Sequence, residues 1–144
     1  MQVFIIGTPL ETAKAMSADK RRYNKQIVEC KQILDALNGK SAWSNHPCTL
    51  QYKEPLLKEW LIHYWLCLSC YIKGDIGEAM NHDEICEIIK PKFHTHEYLD
   101  NMKSRLYTKD PILYSDFSKY GKSEINMYFV DGVWRKYING KRIE

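Results

Sequence analysis

The sequence predicts a mainly α-helical, compact single domain over residues 1–144, with a short extended arm at the N-terminus and a small β-hairpin at the C-terminus. Three observations support this prediction. Apolar residues recur at three- and four-residue spacing in several long segments. Gly and Pro stand where these segments end. Near the C-terminus, an Asp-Gly pair separates β-rich residues 127–130 from residues 133–138, which is a strong hairpin signal.

The N-terminal elements lead into a long helix. Residues 3–6 form a short strand or an extended arm, and Thr8 is placed to cap a helix over residues 10–16. Ser17 or Asp19 then caps the long helix, which an Asn-Gly pair ends. Its predicted buried stripe consists of residues at helical spacing: Tyr23, Ile27, Cys30, Leu34 and Leu37.

A second long helix, over residues 54–73, has a broad apolar face and is expected at the centre of the core. One row of this face contains Leu56, Trp60, Tyr64 and Cys67. Shorter helices are predicted over residues 83–89 and 95–106, and a further turn of helix leads towards Phe117.

The composition, with 44% hydrophobic and 27% charged residues, is ordinary for a globular protein. The net charge of +3 is lower than that of a dedicated DNA-binding domain. Residues 1–40 carry seven basic and four acidic side chains, residues 41–90 carry four and seven, and residues 91–144 carry ten and seven. If the two basic ends meet, they form a basic face that the net charge conceals. An ordinary mixed surface is the alternative.

The five cysteines indicate a reduced protein. Their number is odd, and neither a signal peptide nor an apolar stretch of membrane length is visible. We therefore expect a cytoplasmic protein with free thiols and no membrane partner. Cys67 and Cys70 have the spacing of a redox or zinc motif, but they lie in an apolar helical segment without a second pair. Buried helix cysteines are the favoured interpretation, and neither a metal ion nor another cofactor is expected.

The first long helix opens with a dense group of cationic side chains. Arg22, Gln26 and Glu29 recur at i, i+4 and i+7, so we expect their polar heads along the rim of a groove. Arg21 and Lys25 lie on the solvent side. Arginine offers a bidentate fork for phosphate, which makes this rim a candidate binding site for phosphate or base edges. The alternative is a solvated face whose side chains pair with one another.

Asn45 and His46 form a second candidate site at a rigid corner. Pro47 biases His46 towards an extended conformation, which fixes the direction of the imidazole. Imidazole is suited to phosphate contact and to proton transfer near neutral pH. A purely structural role in capping the connection between two helices is the alternative.

His94 and His96 form a third candidate site, because they stand at the start of a helix whose free amides can bind an anion. Lys103 and Lys109 add positive charge further along this helix. The two histidines and His46 are also a possible metal-ligand set. No carboxylate or Cys stands at a matching spacing, so the anion site is favoured.

Several short motifs stand in a fixed order along the chain. They are Asp19-Lys-Arg21, Lys25-Gln26, Glu29, Gln32-Ile33-Leu34, Asn38-Gly39-Lys40, Trp43 and Asn45-His46-Pro47, followed by His96, Lys103, Leu106, Lys109-Asp110-Pro111 and Tyr114. This layout resembles the bacteriophage endonuclease V type of pyrimidine-dimer DNA glycosylase and its uncharacterised phage and bacterial relatives. The resemblance covers about residues 1–138. It implies a compact helical domain of the endonuclease V type, with both chain ends near the DNA-binding face.

The resemblance also implies a chemistry. The family uses a free N-terminal α-amine as the nucleophile for an imine with the sugar C1′, assisted by a glutamate on the first long helix. Here Gln2 is too large for Met1 to be removed, so the amine is expected one residue further out than in relatives with a small second residue. A gap-free match anchored on residues 38–40 places Asn24 at the position of the glutamate. Glu29 then lies more than a turn away.

Two hypotheses from different classes follow. The first is an enzyme, a lesion-specific DNA glycosylase with abasic lyase activity. Met1 supplies its amine and Glu29 its carboxylate. The phosphate backbone and a flipped nucleotide are held by Arg21, Arg22, Lys25, Gln26 and His46. The second is a phosphate-recognising module that sequesters a nucleotide-derived small ligand without turnover, for example a phage counter-defence protein in the host cytoplasm. The modest charge and Asn24 favour the second hypothesis. An interaction protein without a ligand pocket is a third alternative.

Overall fold

The computed structural model of the protein describes residues 2–39 and 42–143. The chain divides into two compact units, Met1–Pro91 and Lys92–Glu144. The first unit is helical, and the second combines a helix with a small antiparallel sheet. This architecture confirms the predicted fold class, a mainly helical protein with a small C-terminal sheet. The expectation that the chain forms one domain stays a prediction.

The N-terminal unit contains α1 (Pro9–Met16), α2 (Lys20–Leu37), a 3-10 turn (Ala42–Asn45), α3 (Pro47–Leu50), α4 (Pro55–Ile72) and α5 (Ile76–Ile89). Thr8 and Glu11 form a capping box at the start of α1, since the side chain of each accepts the backbone N–H of the other at 3.1 Å. Of the two caps considered for the long helix, Asp19 is the one observed, and it accepts the N–H of Arg22.

Helix α4 lies at the centre of this unit, as predicted, because it packs against α1, α2 and α5. Its buried side chains are Trp60, Leu61, Tyr64, Cys67 and Leu68. The rings of Trp60 and Tyr64 stack with their centroids 5.1 Å apart. The predicted row is wrong at Leu56, which is 52% exposed. Leu56 lies in the first turn of α4, where Glu54 and Pro55 are exposed as well.

The buried face of α2 is rotated from the predicted stripe. Tyr23, Cys30 and Leu34 are buried as predicted, but Ile27 and Leu37 are only half-buried. The remaining buried residues of this helix are Gln26, Ile33 and Ala36. A polar side chain, that of Gln26, thus occupies the core-facing side of α2.

Helix α5 begins at Ile76 rather than at residue 83. Gly74 ends α4 with a φ of +82°, and Asp75 then accepts the N–H of Glu78 as the N-cap of α5. Between α4 and α5, Nδ1 of His63 lies 2.8 Å from Nδ1 of His82, so one ring donates a hydrogen bond to the other. No helix among residues 2–39 and 42–143 combines the length and the apolar character that a membrane span requires.

The C-terminal unit contains α6 (His96–Lys109), a 3-10 helix (Ser115–Tyr120) and strands β1 (Asn126–Val130), β2 (Val133–Ile138) and β3 (Lys141–Arg142). The sheet has the order β1-β2-β3 and is antiparallel throughout. Asp131 and Gly132 both have positive φ, of 54° and 76°, which confirms the predicted hairpin turn. Strand β3 was not predicted, although the Asn139-Gly140 pair that precedes it carries the same turn signal.

Aromatic rings hold the sheet of the C-terminal unit to its own helix. Phe93 stacks on Phe129 at 5.9 Å, and Tyr98 of α6 lies 5.2 Å from the ring of Trp134. The buried Arg105 adds polar bonds to the same packing, since its guanidinium donates to Asn126 Oδ1 and to the backbone carbonyl of Ser123. A short hairpin with a two-residue edge strand is only marginally stable by itself in water. The packing of β1 and β2 against Phe93 and α6 therefore stabilises the sheet.

Candidate active site

Residues 2–5 form a buried segment outside the helices and strands, here called the N-terminal arm, where the sequence predicts an extended arm. Its backbone polar groups bind side chains of the helices. The N–H of Gln2 donates to Glu29 Oε2 at 3.2 Å, and the N–H of Phe4 donates to Gln26 Oε1 at 2.6 Å. The Tyr64 hydroxyl donates to the carbonyl of Phe4. Two different helices, α2 and α4, therefore fix the start of the chain.

Glu29 is the carboxylate that meets the arm. Its side chain is 13% exposed, and its second oxygen, Oε1, lies 3.9 Å from Lys25 Nζ. Asn24, which the gap-free match places at the position of the family's glutamate, is exposed on α2. The geometry therefore singles out Glu29 as the α2 carboxylate in contact with the start of the chain, whereas Asn24 is exposed.

Gln26 does not stand at a solvent-facing rim. Its side chain is buried, with 2% exposure, and donates from Nε2 to the carbonyl of Gln2 at 3.4 Å in addition to accepting from Phe4. Its predicted role in ligand binding stays a prediction, and the observed contacts are with the protein backbone.

The cationic side chains at the start of α2 differ in their surroundings. Arg22 Nε donates to Asp19 Oδ2 at 3.1 Å, so part of the guanidinium is held by the N-cap. Arg21 is exposed, and Lys25 is 69% exposed. Arg21 and Lys25 stand at i and i+4 on the solvent side of α2, as predicted, and both are accessible to an anionic ligand.

The Asn45-His46 corner begins α3. Nδ1 of His46 accepts the N–H of Cys48 at 3.0 Å, so His46 caps this short helix, and a neutral ring carries its proton on Nε2. Burial lowers the pKa of His46 below its ordinary value of 6.5, which keeps the imidazole neutral at pH 7. Trp43 packs edge-on against this ring at 5.7 Å, and Asn45 is exposed.

Cys48 links this corner to the arm. The backbone N–H of Val3 interacts with its thiol. Burial raises the pKa of Cys48 to about 12, and the charge of Glu29 acts in the same direction. The thiol is therefore neutral and structural. This contact connects the arm, which also binds Glu29, to the corner at His46 within the N-terminal unit.

The other predicted site residues belong to the C-terminal unit. His94 stacks on Tyr98 with the ring centroids 5.7 Å apart, and burial lowers its pKa to about 3. His96 is exposed as the first residue of α6, whereas the His94 ring packs against Tyr98 and Phe93. Nζ of Lys103 lies 4.9 Å from the centroid of the Tyr120 ring. Lys109 is exposed in the last turn of α6.

Met1 lies outside the described residues, so its predicted role as nucleophile stays a prediction. In the part of the chain that the structure describes, no three His, Cys, Asp or Glu side chains converge to hold a metal ion. Sequence reasoning missed Tyr64 and Cys48 as contacts of the arm. The helix of Tyr64 was predicted from its periodicity, whereas α3, which carries Cys48, was predicted only as a corner. Nothing local indicates which backbone group a distant side chain will meet.

The comparison with protein families bears on this same region. Residues 1–70 of the chain match the family of pyrimidine dimer DNA glycosylases. The resemblance predicted from the sequence is therefore confirmed for the segment that contains the arm, α2 and the His46 corner, and it identifies a DNA glycosylase-like scaffold. Beyond residue 70 the resemblance stays a prediction. No curated protein and no solved structure matches the chain.

Proposed function

We propose that this protein is a DNA glycosylase with abasic-site lyase activity, in which the α-amine of residue 1 is the nucleophile and Glu29 is the proton-transfer group. One observation carries the proposal: Glu29 Oε2 accepts the backbone N–H of Gln2 at 3.2 Å, inside the segment that matches the glycosylase family. A glutamate of the first long helix therefore meets the start of the chain, which is the arrangement that the family's chemistry requires.

Covalent geometry brings the amine close to this carboxylate. One residue spans at most about 3.6 Å, so an α-amine on residue 1 lies within about 7 Å of Glu29 Oε2 in any conformation of that residue. A free α-amine has a pKa of about 7.7 to 8.0, so a useful fraction is neutral and nucleophilic near pH 7.

The lyase reaction then runs through an imine. The neutral amine attacks the C1′ aldehyde of an abasic site, the N–C1′ bond forms, and the carbonyl oxygen leaves as water. Glu29 accepts the proton that the amine loses and returns it to the departing hydroxyl. Glu29 next removes a proton from C2′, and the C3′–O bond breaks so that the 3′ phosphate leaves with the electron pair. Water hydrolyses the imine and restores the amine.

The glycosylase step uses the same groups on an intact lesion. The amine attacks C1′, and the base leaves with the electrons of the glycosidic bond and takes up the proton that the amine loses. The C1′–O4′ bond then breaks, the second proton of the nitrogen passes to O4′, and the imine forms. Arg21 and Lys25 are exposed on one side of α2 and are suited to contact the phosphate backbone. Trp43, which is 42% exposed beside His46, offers an aromatic surface to an unstacked base.

Borohydride trapping tests this proposal. Wild-type protein mixed with a duplex that contains an abasic site should yield a covalent adduct, mapped by peptide mass spectrometry to residue 1. Acetylation of the α-amine should abolish the adduct. Glu29→Gln keeps an acceptor for Gln2 but loses the base, so strand cleavage should slow by about 10²- to 10⁴-fold. Asp35→Asn, on the same helix and with its carboxylate paired to Lys31 at the surface, is the control and should cleave normally.

Two results would contradict the proposal. A wild-type protein that forms no adduct with abasic or dimer-containing DNA is not a lyase of this type. If that protein still binds duplex with an affinity that falls steeply with salt, it is a non-catalytic nucleic-acid binder. An adduct on a lysine side chain would place the nucleophile elsewhere.

A further inference from the structure

We propose that Gln26 is the positioning residue that sets the register of the N-terminal arm, and with it the distance between the reactive amine and Glu29. The inference rests on the proposed function, and it extends it to a residue that neither contacts DNA nor takes part in proton transfer. It gives the buried polar side chain of α2 a specific task.

The buried backbone groups of the arm need hydrogen-bond partners, and Gln26 supplies two of them. Residues 2–5 are buried and lie outside every helix and strand, and no strand pairs with them among the residues that the structure describes. Buried N–H and C=O groups without partners are costly, so side chains must replace the missing strand. Gln26 fills this role with one amide, which accepts from Phe4 N–H and donates to the carbonyl of Gln2.

The pattern of contacts is that of one edge of a β-strand. In an extended chain, the polar groups of alternate residues point to the same side. The N–H and C=O of Gln2 and of Phe4 all bind side chains of α2 or α4. Val3, between them, directs its N–H to Cys48 of α3 instead. Alternation is thus preserved, and the Gln26 amide takes the place of a peptide group in a neighbouring strand.

Gln26 and Glu29 stand at i and i+3 on α2, so one helix face carries both the carboxylate and the amide that binds the arm. A slip of the arm by one residue would turn the Gln2 N–H away from Glu29 and would point each arm side chain to the opposite side. The two bonds to Gln26 oppose this slip. They therefore hold the Gln2 N–H against Glu29, and with it the point at which residue 1 joins the arm.

The test uses three variants of the full chain. Gln26→Met has a similar volume but neither donor nor acceptor. Gln26→Glu keeps the acceptor for Phe4 N–H, which is the shorter of the two bonds. Gln32→Met changes the same residue type on the exposed side of α2 and is the matched control. For each, the single-turnover rate of cleavage of abasic DNA is measured beside the affinity for a duplex with a non-reactive tetrahydrofuran site.

We expect Gln26→Met to reduce the single-turnover rate by about 10- to 100-fold, because small misplacements of a reacting group have effects of this size. Its affinity for the tetrahydrofuran duplex should stay at the wild-type value, since Gln26 does not face the ligand. Gln26→Glu should recover part of the rate, and Gln32→Met should match the wild type. An unchanged rate in Gln26→Met would overturn the inference, as would equal losses of rate and affinity in both Gln26 variants.

A second readout needs no DNA and separates this inference from the proposed function. Formaldehyde with borohydride methylates an α-amine through an imine, and because lysine side chains react as well, the rate at the α-amine is followed against pH by mass spectrometry of the N-terminal peptide. We expect the pH profile of Gln26→Met to differ from wild type and to approach that of a free peptide amine. If wild type forms no DNA adduct but the two profiles still differ, the enzyme proposal fails and the positioning role stands. Identical profiles would overturn the positioning role.

Discussion

The N-terminal arm and the C-terminal hairpin are both short extended segments, and they satisfy their backbone groups in opposite ways. Strands β1 and β2 pair with each other around a tight turn, with Phe129 opposite Trp134 and Val130 opposite Val133. The arm has side-chain partners from α2, α3 and α4 instead. A ladder formed by neighbours in sequence is local and tolerant of side-chain changes, whereas the arm depends on a few residues far along the chain.

The difference has a consequence for function. In a β-ladder the hydrogen bonds join backbone groups of both strands, so the side chains can change while these bonds remain. In the arm, side chains of the helices form hydrogen bonds with the backbone, and one of these side chains is the carboxylate of Glu29. The arm is therefore a segment whose position, rather than whose side chains, matters to the candidate site.

Among the changes considered, acid should have the largest effect on the free energy of unfolding, and it acts on the C-terminal unit that contains the hairpin. The pKa of His94 is lowered from 6.5 to about 3 by burial beside the aromatic rings that support the sheet. Between about pH 6.5 and pH 3 the unfolded state binds a proton at His94 and the folded state does not. The contribution of neutral His94 to the free energy of unfolding is therefore complete above about pH 6.5, and it falls by up to about 1.4 kcal/mol per pH unit towards pH 3. Urea unfolding of wild type and His94→Phe at pH 7 and pH 4.5 should give a shallower pH dependence for the variant. Equal dependences would contradict this.

Removing one hydroxyl should weaken the arm strongly. Tyr64→Phe deletes the donor to the carbonyl of Phe4 in a fully buried place, and an unsatisfied buried acceptor costs about 1–3 kcal/mol. The free energy of unfolding from denaturant titration should fall by this amount. Tyr71→Phe is the control on the same helix, because the Tyr71 hydroxyl bonds to none of the described residues. A Tyr64→Phe variant as stable as this control would show that the arm contributes little.

The hairpin should respond most to its turn. Gly132→Ala places a Cβ at a φ of +76°, which costs about 1–2 kcal/mol for an L-residue. Gly77→Ala is a useful counterpart, since Gly77 lies in α5 with open space around it and Ala favours a helix by up to about 1 kcal/mol. Thermal unfolding should show opposite shifts for the two variants. Shifts of the same sign would contradict the turn geometry.

The surface pair beside the arm should matter least to stability. Lys25 Nζ lies 3.9 Å from Glu29 and the side chain is mostly exposed, so Lys25→Ala should change the free energy of unfolding by less than about 0.5 kcal/mol. Under the proposed function, the same variant should reduce the salt dependence of DNA binding by about one phosphate contact. A loss of stability comparable to that of Tyr64→Phe would instead identify Lys25 as part of the anchoring of the arm.

The elements that depend on local signals were predictable from the sequence. Periodicity located α2 and α4, Thr8 and Asp19 marked helix starts, and Asp131-Gly132 marked the hairpin. The start of α5 was missed, because the Asp75 cap was not recognised and Gly77 weakens the helical pattern. The Asn139-Gly140 turn that leads into β3 was overlooked despite its clear signal.

The candidate site was predictable only in part. The composition of α2 drew attention to Arg21, Lys25 and Glu29, but the stripe that it predicted was rotated from the true one. Gln26 was therefore assigned to a rim, and it is buried against the arm. Helical spacing fixes which residues share a face, but the exact orientation of that face depends on tertiary partners. For α2 that partner is an extended segment more than twenty residues away.

The anchoring of the arm also bears on how this protein resists degradation. An aminopeptidase needs an extended, accessible chain end, and residues 2–5 are buried with their backbone groups bound to helices. To trim the chain past residue 2, the protease has to wait until the arm detaches, so the rate follows the population of a locally opened state. The start of the chain should therefore survive in a cell about as long as α2 and α4 stay folded beneath it.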